Sequence, residues 1–441
     1  MFKIFLNAWR VQDIRRKLLF IFLLLFIYRI GSVVPLPGID LELLYAIRFG
    51  EMDAPGAGVG TTLISLLMGG GFASVFFMGI APYITASIIM QLLTYAVPTL
   101  SQMQKDGEDG RKKIGQITRY LAVGMAAIQA AGTVFSYTRW AGTDINLFYY
   151  QHMLVYIMAT AAMMTGTIFI MWLAELLTEK GIGSGASFLI FANILAGLPS
   201  GAIALWDLAV GGGIQLLPVI QVLAILAVFA LIIAFVVLVH EGERRIPVQY
   251  AKKAAGGRTN FGGNHSSYIP LKVNIAGVMS IIFAMSLMHF PAQIYGFVQN
   301  NALGNVVRWL NFIDQPDMGI HPFGVAMYVL LIFAFTHFYT SFAVNPVEMA
   351  ENMKKNGGFI PGIRPGKPTS DYIAATVKRL SWIGACFYSL IALTPIVLDI
   401  FAPIRMGFGG TTILIVIGVA LEFVKQLESQ LLMRHYKGFL N

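Results

Sequence analysis

Apolar residues run along this chain in long unbroken stretches separated by short polar ones. The stretches lie near 18–34, 114–137, 152–177, 184–206, 214–240, 273–292, 321–343, 372–393 and 410–427, with a longer one at 61–97. A helix of about 20 apolar residues crosses the roughly 30 Å hydrocarbon layer of a bilayer, so each stretch predicts a membrane-spanning helix. The stretch 61–97 has 37 residues. As one helix it would reach about 55 Å, too long for one span and too short for two plus a turn. Gly69-Gly70-Gly71 interrupts it where helix propensity is poor. The pattern predicts a half-helix from Thr61 to Met68 and a full span over 75–97, giving ten spans in all. A half-helix that stops inside the membrane must be shielded by protein or line a cavity, since lipid satisfies none of its terminal backbone groups. That points to the interior of a channel or transporter.

Composition agrees with this reading. Of the 441 residues 57% are hydrophobic and only 12% charged, against about 25% charged in soluble domains. Mean hydropathy is +0.70. This is an all-α polytopic membrane protein with little chain left for a soluble domain. The first run follows Arg15-Arg16-Lys17 and ends in SVVPLPG, without a small-residue cleavage site, and reads as a retained span. Ahead of it, Phe2, Phe5, Leu6 and Trp9 fall on one helical face, as in a short helix lying in the interface. The single cysteine, Cys386, lies in an apolar stretch and excludes an intrachain disulfide.

Charge orients the spans. With ten spans both termini share a side, and 26 of the 31 Lys and Arg fall there. The other side has Arg48, Arg139, Arg308 and Arg405, and Arg29 lies within the first run. The positive-inside rule places both termini in the cytoplasm. The net charge of +9 thus reflects topology and is not by itself a sign of nucleic-acid binding.

Two loops exceed what topology needs. One covers 240–272 and contains EGERRIPVQYAKKAAGGRTN; the other covers 344–371 and contains NPVEMAENMKKNGGFIPGIRPGKPTSD. Connections in helix bundles usually take about 2–8 residues, and longer structured loops tend to carry function. Ile246, Val248 and Tyr250 predict a projecting hairpin in the first. In the second, Arg364 stands between Pro-Gly turns, which hold a guanidinium suited to forked contacts with phosphate or carboxylate. The segment KDGEDGRKK at 105–113 reads as a solvated turn between helices.

Several chemistries find no support. His240-Glu241 lacks a second histidine at 244, where Arg stands, and GxxxxGK[ST] is absent. Gly181-x-Gly183-x-Gly185 lies between two spans and reads as a tight hairpin turn. Ser184 and Ser187 come without a GxSxG pattern. The spans are nearly free of ionisable residues, with His337 the main interior candidate. Ion-coupled carriers need such groups at mid-membrane. The pattern favours a gated conduit driven from elsewhere over a proton- or sodium-driven carrier.

Several segments resemble the SecY family of protein-translocation channels. They are GIAPYITASIIMQLL (79–93), KDGEDGRKKIGQITRY (105–120), LTEKGIGSGASFLIFANILAGLP (177–199), EGERRIPVQYAKK (241–253), YIPLKVNIAGVMSIIFA (268–284), NPVEMAENMKKNGGFIPGIRPGKPT (345–369) and FGGTTILIVIGVALEFVKQLESQL (408–431). The likeness covers essentially the whole chain in order and is bacterial in type. It implies a pore subunit with ten helices in two inverted pseudo-symmetric halves of five. The divisions would be an N-tail 1–17, an N-terminal half 18–206, a C-terminal half 207–427 and a C-tail 428–441. It implies a plug at about 61–74, including Leu63, Ile64, Leu66, Leu67 and Gly69, Gly70, Gly71. A pore ring would comprise Ile80, Ile84, Ile190, Ile194, Ile282 and Ile415. A lateral gate would carry Thr85, Ser87 and Gln91 on the second span and Ser286 on the seventh. Arg244, Arg245, Lys252, Lys253, Arg258 and Arg364 would dock a motor ATPase, SecA, or a ribosome. Further implied partners are the small membrane subunits SecE and SecG, preproteins with their signal peptides, and membrane lipids. No catalytic residue, metal or cofactor is implied, and the bacterial inner membrane is the implied location.

The residue chemistry suits this role. Ile80/Ile84 and Ile190/Ile194 are i, i+4 pairs, each on one helix face. β-Branched side chains are stiff, and an aliphatic constriction excludes water and ions by dewetting. Taken alone, such a pair reads as ordinary helix packing; only the resemblance lifts the pore reading above it. A secondary transporter of small solutes, also built from broken helices and inverted repeats, is the alternative that composition and topology leave open.

Overall fold

The computed structural model describes residues 8–40, 73–138, 146–210, 216–250, 267–273, 275–298, 301–311, 321–401 and 410–437. The chain is mainly helical. Its elements in order are α1 (Gln12–Gly31), α2 (Ala81–Ala96), α3 (Pro98–Lys105), α4 (Glu108–Thr138), α5 (Met153–Lys180), α6 (Gly185–Val210), α7 (Leu216–Glu241), β1 (Glu243–Tyr250), β2 (Ser267–Lys272), α8 (Met279–Val298), α9 (Asn301–Leu310), α10 (Pro322–Ala343), α11 (Pro346–Lys355), β3 (Gly358–Phe359), α12 (Lys367–Phe401) and α13 (Gly410–Lys437).

Each of the nine shorter apolar runs overlaps one of these helices, while in 61–97 the described residues show a helix over Ala81–Ala96. Among the described residues four helices are long and apolar enough to cross a bilayer, and a fifth if the bent pair α2–α3 counts as one. An 18-residue window within Val219–Glu241 reaches a mean hydropathy of 3.5, yet only 17% of that window is buried. Leu223, Leu226, Leu231 and Leu238 lie outward. An apolar surface of that extent is stable against lipid, not water. The protein is thus a multi-pass membrane protein.

The run 75–97 departs from expectation. The helix begins only at Ala81 and has 16 residues, about 24 Å. Residues 73–80 form turns, with Gly79 at φ +55° and Pro82 in the first helical turn. Val97 is extended ahead of Pro98, as the proline ring requires of the residue before it. The chain then turns through 100° into α3. The half-helix expected over Thr61 to Met68, and the plug residues Leu63, Ile64, Leu66, Leu67, Gly69, Gly70 and Gly71, lie outside the described residues. So do Phe2, Phe5 and Leu6 of the N-tail.

The polar segment 105–113 compresses into a turn at Asp106–Gly107, with Gly107 at φ +82°. GIGSG is the tight hairpin expected: α5 ends at Lys180 and α6 starts at Gly185. A Cβ on Gly183 (φ +92°) would fall 2.4 Å from the Gln426 Oε1 of α13, so the turn sits hard against that helix.

The loop 240–272 does form a hairpin, β1 against β2, in register from Glu243 opposite Lys272 to Val248 opposite Ser267. The sequence did not announce its second partner. β3, from the other long loop, pairs with β1 through Gln249–Phe359 and Tyr250–Gly358. The resulting sheet has order β2-β1-β3. Ile246, Val248 and Leu271 pack there with Met353, Ile360, Ile373, Val377 and Leu380. Both loops thus form one platform on the ends of α7, α8, α10 and α12.

Candidate functional site

Helices α1, α2, α5, α6 and α13 meet in a buried apolar cluster. Ile80, Ile190, Ile194 and Ile415 are all buried in it, and Ile84 and Ile282 pack against it. The six isoleucines come from four helices and the turn before α2, and the fold brings all of them together. Ile194 is fully buried, and Ile190 sits one turn earlier on the same face of α6. Between them along the chain, Asn193 accepts a 2.8 Å hydrogen bond from the Tyr28 hydroxyl of α1. This bond fixes the rotation of α6 about its axis. A lone Asn in an apolar run was its only sequence signal.

Above this cluster, on the side of the sheet, lies a cavity of about 630 Å³. Ile190, Ile282 and Ile415 form part of its lining, with Ser187, Val278 and Val419. Towards the platform the lining becomes polar, with His240, Lys272, Glu422, Lys425 and Gln426. Gln426 donates to Glu422 across one turn of α13 at 3.2 Å. The lining thus passes from charged side chains near the platform to mainly aliphatic ones beside the isoleucine cluster, with Ser187 among them.

The four expected gate residues are carried by α2 (Thr85, Ser87, Gln91) and α8 (Ser286), two helices that touch along one seam. The seam is closed by apolar side chains. Ile88 of α2 is buried with Ile281, Phe283, Ala284, Met285 and Met288 of α8, and Ile84 packs on this cluster as well as on the isoleucine cluster. The polar side chains of α2 turn to their own helix. Thr85 donates to the Ala81 carbonyl at 3.1 Å, and Gln91 donates to Ser87 at 3.4 Å. The Gln91 Oε1 is buried without a hydrogen-bond partner among the described residues. Ser286 is half-buried on α8. Further along, Tyr95 of α2 meets Phe338 of α10 edge-on, centroids 5.6 Å apart. Two aromatics far apart in the chain gave no sequence signal of this contact.

The expected docking cations divide. Arg244 is exposed on β1. Arg245 is engaged locally: its Nε donates to Glu243 at 2.7 Å and its guanidinium lies 4.9 Å from the Tyr268 ring centre. The hydrogen bond to Glu243, with the charges of Tyr268 and Glu243, pushes the Arg245 pKa up. Arg364 is exposed in a loop between Gly362 and Gly366, at φ +82° and +103°. Its carbonyl accepts from Thr369 at 2.9 Å, which anchors the loop and leaves the side chain outward. Lys252, Lys253 and Arg258 lie outside the described residues.

Comparison with known proteins decides what such a site belongs to. The SecY family model matches residues 74–424, most of the chain. The chain belongs to the SecY family. The protein translocase subunit SecY of Halalkalibacterium halodurans is 43% identical over 450 residues, covering all of both chains. The fold matches a solved structure of a protein-conducting channel, with TM-score 0.66 and 18% identity over 93% of this chain and 90% of that one. It also matches Sec61 in the canine ribosome–channel complex from the endoplasmic reticulum, with TM-score 0.62 and 16% identity over the same shares. Such structural likenesses speak for the fold.

Proposed function

We infer that this chain is the channel subunit of a protein translocase. It passes unfolded polypeptides across the membrane and is not itself an enzyme, the driving force coming from its partners. A carrier of small solutes is not favoured, since the family match spans the chain. The observation that carries the mechanistic reading is the convergence of six isoleucines in one apolar cluster, three of which, Ile190, Ile282 and Ile415, also line the cavity above it. In this reading Ile80, Ile84, Ile190, Ile194, Ile282 and Ile415 form a collar that fits around a polypeptide of any sequence. Stiff aliphatic side chains exclude ions without binding the cargo.

The seam between α2 with α4 and α8 with α10 is the proposed lateral exit. An apolar seam opens to lipid when the passing segment is itself apolar, because about 20 apolar residues partition favourably into the bilayer. Ten spans in two inverted halves, with a plug at about 61–74, complete the proposed architecture. The excess of Lys and Arg on the platform side supports termini in the cytoplasm of a bacterial inner membrane. Proposed partners are SecE, SecG and a SecA motor or ribosome. The exposed Arg244 and Arg364, with Arg245, Lys252, Lys253 and Arg258, are the proposed docking cations. Arg244 and Arg364 come from the two loops that share the three-stranded sheet, so a partner there could touch both loops at once.

A cross-link tests the collar. With Cys386→Ala and Ile194→Cys, a preprotein carrying one cysteine is stalled in energised vesicles. A disulfide to residue 194 is expected. An engaged preprotein that forms none, with a lipid-facing control cysteine equally negative, places the path elsewhere.

A further inference from the structure

Helix α9, between α8 and α10, is too short to span at 10 residues, about 15 Å. It has three faces at helical spacing. Leu303, Val307 and Leu310 are half-buried against the bundle, Leu310 packing on the cluster of Tyr328 and Ile332. Asn305 and Arg308 form an exposed polar face. Val306 and Trp309 form an exposed apolar ridge, at 46% and 57% of their full accessibility.

The helix is fastened to both neighbours. A Cβ on Gly304 would lie 3.0 Å from the Tyr295 ring of α8, so its backbone rests on that ring. The His321 amide ahead of α10 donates to the Asn311 carbonyl at 3.0 Å. The Trp309 ring lies 4.9 Å from that of His321 and meets Phe323 edge-on at 6.1 Å. Phe323 opens an exposed stripe on α10 that continues through Ala326 and Leu330. α10 belongs to an apolar segment that passes as a span, so this stripe faces lipid. The Val306–Trp309 ridge carries the same lipid-facing surface around the corner onto α9, at the end of the bundle away from the platform.

We propose that α9 docks on the phospholipid surface. Val306 and Trp309 sit at the boundary of acyl chains and headgroups, and Arg308 contacts lipid phosphate. Tryptophan suits that depth because its ring is amphipathic. An interfacial helix is held by apolar burial plus attraction to anionic headgroups, and a guanidinium makes forked bonds to phosphate. Because α9 is fastened to both α8 and α10, lipid would hold these two helices as a pair.

Spin labels on single cysteines test this in Cys386→Ala protein reconstituted in phosphatidylcholine liposomes. Asn305→Cys, Val306→Cys and the α10 reference Leu330→Cys are compared for collisions with oxygen and with a water-soluble nickel chelate. The label at 306 should favour oxygen as the one at 330 does, and the label at 305 should favour nickel. Equal nickel access at 305 and 306 would put α9 in water and overturn the proposal. Shielding of 306 from both reagents would overturn it in favour of a protein partner or a second copy. Adding anionic phospholipid should lower nickel access at 306, and Arg308→Gln should abolish that change. A change that survives Arg308→Gln removes the phosphate role from Arg308. None of these outcomes depends on polypeptide conduction.

Discussion

The isoleucine cluster and the three-stranded platform are both small apolar cores, held by different forces. The cluster joins α2, α6, α8 and α13 through side chains alone, each helix having satisfied its own backbone. Within a bilayer the hydrophobic effect adds little between helices, and packing does the holding. The platform caps the ends of the spans, its core taking in Ile373, Val377 and Leu380 of α12. Its core gains from excluding water, at about 25 cal/mol per Å², and a strand ladder fastens it. Helices that share only side-chain contacts can separate without breaking a backbone hydrogen bond, whereas the platform can move only as a unit. The comparison teaches that two apolar cores of similar make-up resist separation differently when one is held by side-chain packing and the other by a strand ladder.

Four experiments sharpen that contrast. The largest effect is expected from Ile246→Asp, since Ile246 is 1% exposed at the centre of the platform. A carboxylate buried there without a partner should cost more than about 3 kcal/mol. The readout is a lower thermal transition in nanodiscs together with new trypsin cleavage after Arg244 and Arg245. An unchanged transition and digest would show that the sheet does not hold the loops.

Next comes the collar. Ile84→Gly with Ile194→Gly, in a chain lacking 61–71, should raise the resting ion conductance in a planar bilayer while the platform's protease resistance stays the same. Wild-type leakage would take both residues out of the constriction. A moderate effect is expected from Arg244, Arg245, Lys252 and Lys253 replaced together by Ala. Ribosome affinity should fall, and its dependence on salt should flatten, because phosphate contacts release counterions. Affinity equal to wild type at every salt concentration would move docking off this hairpin. The smallest is Glu243→Gln. It frees a guanidinium already in water, so the thermal transition should stay where it is while ribosome binding tightens slightly. Weaker binding would mean that the Glu243–Arg245 pair, not the free cation, is what the partner meets.

Much of the fold was legible in the sequence because a bilayer imposes its thickness on every span. Leu216–Glu241 and Pro322–Ala343 follow their apolar runs within a few residues. Where local chemistry competes with that rule, the reading slipped. Gly79, Pro82 and Pro98 shortened the expected span 75–97 to Ala81–Ala96. α9 went unnoticed because 10 residues with three different faces match neither a span nor a polar loop. The site divides in the same way. The resemblance named six isoleucines that the fold brings into one cluster, while their residue type alone did not distinguish a collar from routine packing.

By itself the sequence determined the helical spans, their charge asymmetry, the hairpin and the family, because each depends on periodicity, length or motif within a short stretch of chain. Only the tertiary structure decided that six isoleucines spread from 80 to 415 share one cluster. It alone paired β3 with β1 and left Val306 and Trp309 on an open ridge. These depend on which helices become neighbours and how each is rotated. That rotation is set by contacts such as Tyr28 with Asn193, formed between residues that no local pattern connects.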